Sequence, residues 1–510
     1  MHKNWNNIKL SNASIIRFGG IAPDRNMPTN FQYIRMIDSI RANGMEPVIQ
    51  VPFDANRYTA AQAANIVNYL NVVKGKNIKY WIIANEPNLG YGYTTPGQIA
   101  NYFKPFASAM KAVDPNILIV GPEIAWFDQS IIDGLTNPGG PHDITGKDAA
   151  GRYYLDVISF HTYPFNGSQT RSQVVSNLTS TNGLQDDLGH LNSRVAAANA
   201  FHNRTGTSKI KTAITEANIN YQNNPSDNVS GLGANSFIGG QFVAEMMAVC
   251  LKQSVDFINI WSVIEGNTTE SSIGYIDPVT NNKKPTFYHF KMMADNFKGN
   301  FANGTSNKTN VKAFGSKNSS EITVMVMNQE LTGSYNYTVR LNTTAIAGST
   351  ALKINLDAGV AMEYNDVIPS QSTMLLTFNA SGTLLKKTEY SLTTHALANL
   401  APVTTVLVST GVEDVVTTPV LGDNNGFDIK VFPNPSLGKF TIGLNKGNSD
   451  EKQYEIVIIN VIGQEVYRKK TAFADNKQII DLNGGFAAGA YIVRVRQGEA
   501  EITRKIILEK

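Results

Sequence analysis

Cysteine is almost absent: Cys250 is the single one in 510 residues, which excludes a disulfide framework and any cysteine-ligated metal site. It falls in FVAEMMAVCLKQ, a helical pattern, and reads as a small buried apolar residue rather than a nucleophile. Charge is sparse as well. Asp, Glu, Lys and Arg make up 17% of the chain, the net charge is +3 and no basic cluster occurs, so no nucleic acid partner is expected. No stretch is long and apolar enough to span a membrane. The opening MHKNWNNIKL lacks the apolar core of a signal peptide. No glycine-rich phosphate loop follows any candidate strand. The seven histidines show no metal-ligand spacing, so neither a catalytic metal nor a cofactor is expected. What is present is 42% apolar content in a chain too long for one ordinary domain, which predicts a globular protein of roughly two to four domains.

From residue 14 to about 265, short apolar runs alternate with helical patterns. The runs are Ile15–Phe18, Pro47–Pro52, Tyr80–Ala84, Ile117–Gly121, Val157–His161, Ala213–Thr215 and Phe257–Ile260. In FQYIRMIDSIRANG, Tyr33, Ile34, Ile37 and Ile40 share one helical face and Gly44 supplies the stop. In TTPGQIANYF, Thr95 is a helix N-cap with Pro96 at the first helical position, and Pro105 is expected to kink that helix. Repeated strand–helix units predict a parallel sheet covered by helices, and seven strands in one run favour a (β/α) barrel over an open sheet. Chemistry in such a barrel sits at the C-terminal strand ends. Those ends present Arg17, Gln50, Asn85 and Glu86, Glu123, His161 and Tyr163, Glu216 and Asn218, and finally Trp261 and Glu265.

Glu86 and Glu216 each close an apolar strand, and hydrolysis of a glycosidic bond asks for two such carboxyl groups. One protonates the leaving oxygen and the other, ionised, attacks the anomeric carbon. Asn85 is placed to bind a sugar hydroxyl, Arg17 to keep Glu216 ionised, Tyr163 to orient it and Trp261 to stack on a pyranose ring. Plainer roles exist for each: strand-end carboxylates capping a loop, a core ion pair for Arg17, rim hydrogen bonds for His161 and Tyr163, and core packing for Trp261. Glu123 and Glu265 read as structural or remote from the scissile bond. Trp126, Tyr91 and Tyr93 lie in loops after strands, where they would line subsites.

NEPN ending one strand, FHTYP on another, TEANI ending a later one and a terminal Trp strand, in this order, resemble clan A of the glycoside hydrolases, the retaining barrel enzymes. The similarity covers roughly residues 14–266. It implies that Glu86 is the acid/base and Glu216 the nucleophile. In that clan these groups stand on strands four and seven, whereas here they stand on the third and sixth. RFGG resembles strand two of arabinofuranosidase-like and heparanase-like members. We therefore expect a (β/α)8-type barrel lacking strand one, with Met1 an internal start or an artificial boundary.

After an amphipathic helix in KPTFYHFKMMADNFKGN, expected to close the barrel, EITVMVMNQ, YNYTVRLN and STMLLTFN are short strands with Gly, Asn and Ser turns, as in an antiparallel sandwich. The final stretch, with PNP before Gly438, NVIGQEV and GAYIVRV, resembles the C-terminal sorting domain of the type IX secretion system. That resemblance implies export across an outer membrane by the type IX machinery, to a secreted or cell-surface location. The expected organisation is an N-terminally truncated barrel over 1–295, a β-sandwich over 296–395, a linker over 396–425 and the all-β sorting domain over 426–510. The expected activity is retaining hydrolysis of a β-linked polysaccharide from within the chain. An exo-acting arabinofuranosidase-like or glucuronidase-like enzyme, or a non-catalytic carbohydrate-binding or adhesin protein on a degenerate barrel, are the alternatives.

Overall fold

A computed structural model of the chain describes residues 4–407 apart from 55–56, 223, 225–226, 267–271, 343, 345 and 347–350. It also describes 428–508 apart from 435, 447–452, 461–464, 483–485, 488 and 499. These residues form two compact units, Met1–Gly411 and Val412–Lys510.

The first unit begins with seven parallel strands: β1 (Ile15–Phe18), β2 (Glu46–Val51), β3 (Tyr80–Ile83), β4 (Leu118–Ile124), β5 (Val157–Thr162), β6 (Lys211–Ala217) and β7 (Phe257–Ile260). They pair in chain order into one curved sheet, a nearly closed barrel with helices outside. The alternation along each strand sorts its side chains. Val48, Ile82, Val120, Val157 and Ala213, one from each of β2 to β6, make a separate buried layer inside the barrel. Ile49, Ile83, Ile119, Ile158 and Ile214, their next neighbours, join the larger core under the helices. Two residues beyond the inner layer the same face carries Gln50, Ser159 and Thr215, so the barrel floor is apolar and its upper end polar. That switch positions the site.

The helices begin by a shared device. Thr29–Gln32, Thr59–Gln62, Thr95–Gln98 and Thr170–Gln173 are all capping boxes, in which the threonine hydroxyl accepts from the glutamine N–H and the glutamine side chain accepts in return. Each reciprocal cap is worth about 1 kcal/mol and fixes where a helix departs from its loop. The helix Pro96–Val113 runs on through Pro105 as one α-helix. Among the described residues β1 and β7 are edges of the sheet. A cavity of about 240 Å³ lies between them, lined by Ile16, Arg17 and Phe18 on one side and Ile258, Ile260 and Trp261 on the other.

A β-sandwich comes next. Six strands, ordered Val403–Val406, Leu384–Ser391, Ser372–Asn379, Glu321–Asn328, Val311–Lys317 and Asn300–Ala302, form one sheet. Glu363–Ile368, Tyr335–Arg340, Leu352–Leu356 and Gly304–Ser306 form the other. The sandwich is antiparallel except that Tyr335–Arg340 runs parallel to Leu352–Leu356. Val403–Val406 falls within the stretch read as linker, yet it is an edge strand of the first sheet; residues 408–425 of that stretch lie outside the described residues. Phe237, Met292 and Met293 of two barrel helices share a buried cluster with Met325, Leu375 and Tyr390 of the sandwich. Barrel and sandwich are thus joined by a common core.

The second unit has antiparallel sheets of three strands (Asp428–Phe432, Lys439–Lys446, Lys477–Asp481) and four (Glu465–Thr471, Tyr454–Asn460, Gly489–Gln497, Ala500–Leu508) around Phe440, Tyr454, Val493 and Ile506. Of the motifs read there, Pro435 and residues 461–464 of NVIGQEV lie outside the described residues. No described helix is long and apolar enough to cross a membrane.

Candidate active site

Five strand ends, those of β1, β3, β4, β5 and β6, meet at the polar mouth of the barrel. Arg17 of β1 reaches across it, giving Nη1–H to Glu216 Oε2 at 2.7 Å and Nη2–H to Asn85 Oδ1 at 2.7 Å and to Glu123 Oε2 at 3.3 Å. Tyr163 Oη donates to the other oxygen of Glu216 at 2.6 Å. His161 of β5 lies between two carboxylates, with Nδ1 2.9 Å from Glu86 Oε1 and Nε2 3.2 Å from Glu123 Oε2. Single oxygens of Glu86 and Glu216 and Nδ1 of His161 all lie within 4.8 Å of one another.

Two irregularities in the sheet produce this convergence. Between β4 and β5, Pro122 pairs with Ser159 and Ile124 with Phe160, so Glu123 is an extra residue. Between β5 and β6, Phe160 pairs with Ile214 and His161 with Glu216, so Thr215 is extra. A bulge of this kind re-aims the side chains beyond it. Strict alternation would send Glu216 to the helix side, because Ala213 and Thr215 face inward. The bulge lets Thr215 and Glu216 both face the mouth. Glu123 has φ 59° and Glu86 φ 48°, left-handed values that cost a non-glycine residue about 1–2 kcal/mol each. Such strain collects where geometry matters for function.

The charges are held firmly. Burial alone would push the His161 imidazole down, but Glu216, with hydrogen bonds to Glu123 and Glu86, outweighs it and raises its pKa to about 9. Burial likewise pushes Glu123 up, and the His161 hydrogen bond and the Arg17 charge more than reverse this, holding it below the usual carboxylate range. Glu216 and Glu123 keep Arg17 charged against its burial. Glu86, His161 and Glu216 have the spacing to hold a cation. Their facing atoms are already engaged within the site, Nδ1 of His161 with Glu86 and the two oxygens of Glu216 with Arg17 and Tyr163.

Arg17, Asn85, Glu86, His161, Tyr163 and Glu216 are therefore brought together. Trp261 stands beside them, lining the cavity that Arg17 also lines and packing over the turn after β1. A Cβ on Gly20 would come 2.9 Å from the indole, and Gly20 has φ +106°, so only glycine suits this turn. Gly20→Ala is expected to displace Trp261 and lower kcat/KM by about tenfold or more with the fold kept; tryptophan fluorescence and kinetics together check this. Tyr91 and Tyr93 pack with Phe53, at 5.7 Å between centroids, so they are committed to the wall rather than free as platforms. Trp126 is 47% exposed.

Glu123, read as structural or remote, lies instead at the centre of the site, wholly buried. Ser159 and Thr215 hydroxyls both donate to its Oε1. Asp24 was not read from the sequence at all. It accepts from the Asn85 N–H at 2.9 Å, the Gln50 amide at 2.6 Å and the Tyr91 hydroxyl at 3.2 Å, and burial raises its pKa to about 6. It holds the backbone from which Asn85 and Glu86 project. Its signal in the sequence is nil, since APDR carries no motif.

Among solved structures, a xyloglucanase of glycoside hydrolase family 44 from Paenibacillus polymyxa superposes with a TM-score of 0.51 at 14% identity, over 73% of this chain and 94% of that one. A bacterial orthologue of human α-L-iduronidase aligns at 12% identity over 98% of this chain and 94% of its own, with a TM-score of 0.50. No curated protein matches the sequence. The fold, a barrel followed by a β-sandwich, is shared with these two glycoside hydrolases. Residues 430–509 match the secretion system C-terminal sorting domain. The chain thus ends in a type IX sorting domain, which directs export to a secreted or cell-surface location.

Proposed function

We propose that the chain is a retaining glycoside hydrolase working by double displacement, with Glu86 as acid/base and Glu216 as nucleophile. The observation that supports this most is the approach of the two carboxylates. Oxygens within 4.8 Å match the separation of about 5 Å used for direct attack and leave no room for the water that inversion interposes. In the first step Glu86 gives its proton to the leaving oxygen while a Glu216 oxygen bonds to the anomeric carbon and the C–O bond breaks. In the second, Glu86 takes a proton from water, whose oxygen bonds to that carbon and releases Glu216 as a carboxylate. Arg17 and Tyr163 hold one Glu216 oxygen each, which fixes the carboxylate's plane. The oxygen of Asn85 is turned to Arg17, which leaves its amide N–H groups for a sugar hydroxyl. Trp261 would supply the stacking surface at the same mouth.

The substrate we infer is a β-linked polysaccharide met outside the cell, cut within the chain, with the exposed Trp126 as a platform on the rim. A degenerate, purely binding barrel would have no use for a fully compensated set of buried charges. The test is digestion of a panel that includes xyloglucan, xylan and uronic-acid-containing glycans, with the first product's anomer read by NMR. Release of the same anomer as the substrate's, as a ladder of oligosaccharides, is the expected result. Inversion would remove the nucleophile role from Glu216. Release of single terminal sugars would favour an exo-acting enzyme.

A further inference from the structure

Glu123 takes no step in double displacement, yet both of its oxygens are fully engaged at the centre of the site. Its Oε2 accepts from Arg17 at 3.3 Å and lies 3.2 Å from His161 Nε2; its Oε1 accepts from Ser159 and, at 2.7 Å, from Thr215. We propose that Glu123 is a positioning residue that couples the two reacting carboxylates, fixing His161 against Glu86 and Arg17 against Glu216, and so sets the proton that Glu86 transfers. The proposal rests on the assignment of Glu86 as acid/base.

The argument is one of donors and charge. A neutral imidazole has one N–H, but His161 faces a carboxylate at each nitrogen, so only the doubly protonated ring satisfies both. With Glu123 anchoring Nε2, Nδ1–H is aimed at Glu86 Oε1. That leaves Oε2 of Glu86 as the oxygen that carries the proton to the leaving group. Charged or titratable groups from every strand around it face His161. Glu86 comes from the end of β3 and Glu123 from β4. Glu216 of β6 is 3.8 Å from Nδ1, with Arg17 of β1 beside it and Tyr163, just past β5, bonded to it. The two cations Arg17 and His161 balance the two carboxylates Glu123 and Glu216. Removing the charge of Glu123 leaves a positive excess next to Glu86 and takes away the acceptor that holds the ring. The raised pKa of His161, about 9, agrees with the ring being a cation at neutral pH.

A residue that merely filled space could be exchanged for its isostere without changing any titration. The test is therefore Glu123→Gln, in full-length protein labelled with 13C at histidine Cε1, the His161 signal being assigned by its loss in His161→Asn. In the unaltered protein His161 is expected to titrate at about 9. In Glu123→Gln its proton affinity is expected to fall at least about tenfold, and the pH profile of kcat/KM on 4-nitrophenyl glycosides to move with it. Glu123→Asp keeps the charge and loses reach. It is expected to leave the titration high but lower kcat, and it serves where the glutamine variant does not fold. An unmoved His161 titration in Glu123→Gln, or a low one in Glu123→Asp, overturns the coupling. The titration needs no substrate, so its outcome stands apart from whether the chain hydrolyses glycosides.

Discussion

Glu216→Gln is expected to lower turnover by at least about 10⁴-fold on every glycoside, whatever its leaving group. The amide keeps the volume of the carboxylate and can still accept from Tyr163, so the fold should survive; what it lacks is the charge that bonds to the anomeric carbon. Glu86→Gln should behave differently. Its loss is expected to be about 10²–10⁴-fold on natural linkages, which need a proton on the departing oxygen. On a dinitrophenyl glycoside, whose leaving group needs none, the first step should be nearly spared. The glycosyl-enzyme should then accumulate for want of a base to activate water, giving a burst followed by slow turnover. Azide, which attacks without a base, should relieve that block. Steady-state and burst kinetics on paired activated and unactivated substrates check all of this. Full activity in both variants, or rescue of Glu216→Gln by a better leaving group, would refute the assignment.

Much of this arrangement could be read in the sequence, for a physical reason. A strand buried on both faces reads as an unbroken apolar run, as Trp81–Ile83 does, and a polar residue that ends it must lie at the barrel mouth. Arg17, Asn85, Glu86, His161, Tyr163 and Glu216 were legible in that way, and the seven strands with them. Glu123 was placed at a strand end too, but its position at the centre of the site was not legible, because alternation from the inward Val120 puts Pro122 inside and Glu123 toward the helices. Only the bulge at Glu123, with its positive φ, turns it in, and a bulge leaves no pattern in a short run of residues. Glu216 lies just past a bulge too, at Thr215, and was found through its place at the strand's end rather than through its phase. Asp24 escaped for another reason: its partners Gln50, Phe53, Asn85 and Tyr91 come from separate loops and strands, a meeting that no local pattern encodes. The parallel pair in the sandwich, Tyr335–Arg340 with Leu352–Leu356, was hidden likewise, since alternation tells which residues face inward but not strand direction.

Arg17→Met should have the largest effect on stability. Methionine nearly matches the arginine stem in length, so packing along β1 is kept and the experiment isolates the charge. Arg17 is the buried cation that links Glu216, at 2.7 Å, to Glu123, at 3.3 Å, and also meets the oxygen of Asn85. Its removal leaves Glu216 with the Tyr163 hydroxyl as its strong donor and strips Glu123 of one of the two cations that hold it ionised. Breaking a buried pair in this way costs about 3–5 kcal/mol, because the partner's charge stays behind uncompensated. In a unit of this size that is a fall in melting temperature on the order of 3–6 °C. The pH dependence gives a sharper signature. In the unaltered protein Glu123 has a depressed pKa, so its contribution to stability is present above the unfolded carboxylate range and is lost as pH falls through the folded value. Without Arg17 its carboxyl moves upward, and the variant gives up less on acidification than the unaltered protein does. The gap in melting temperature between the two should therefore narrow as pH is lowered from about 5 to about 3. Melting curves across that range check it. A gap that stays constant would mean the loss comes from packing along β1, and no gap would mean that Arg17 does not hold the mouth of the barrel together.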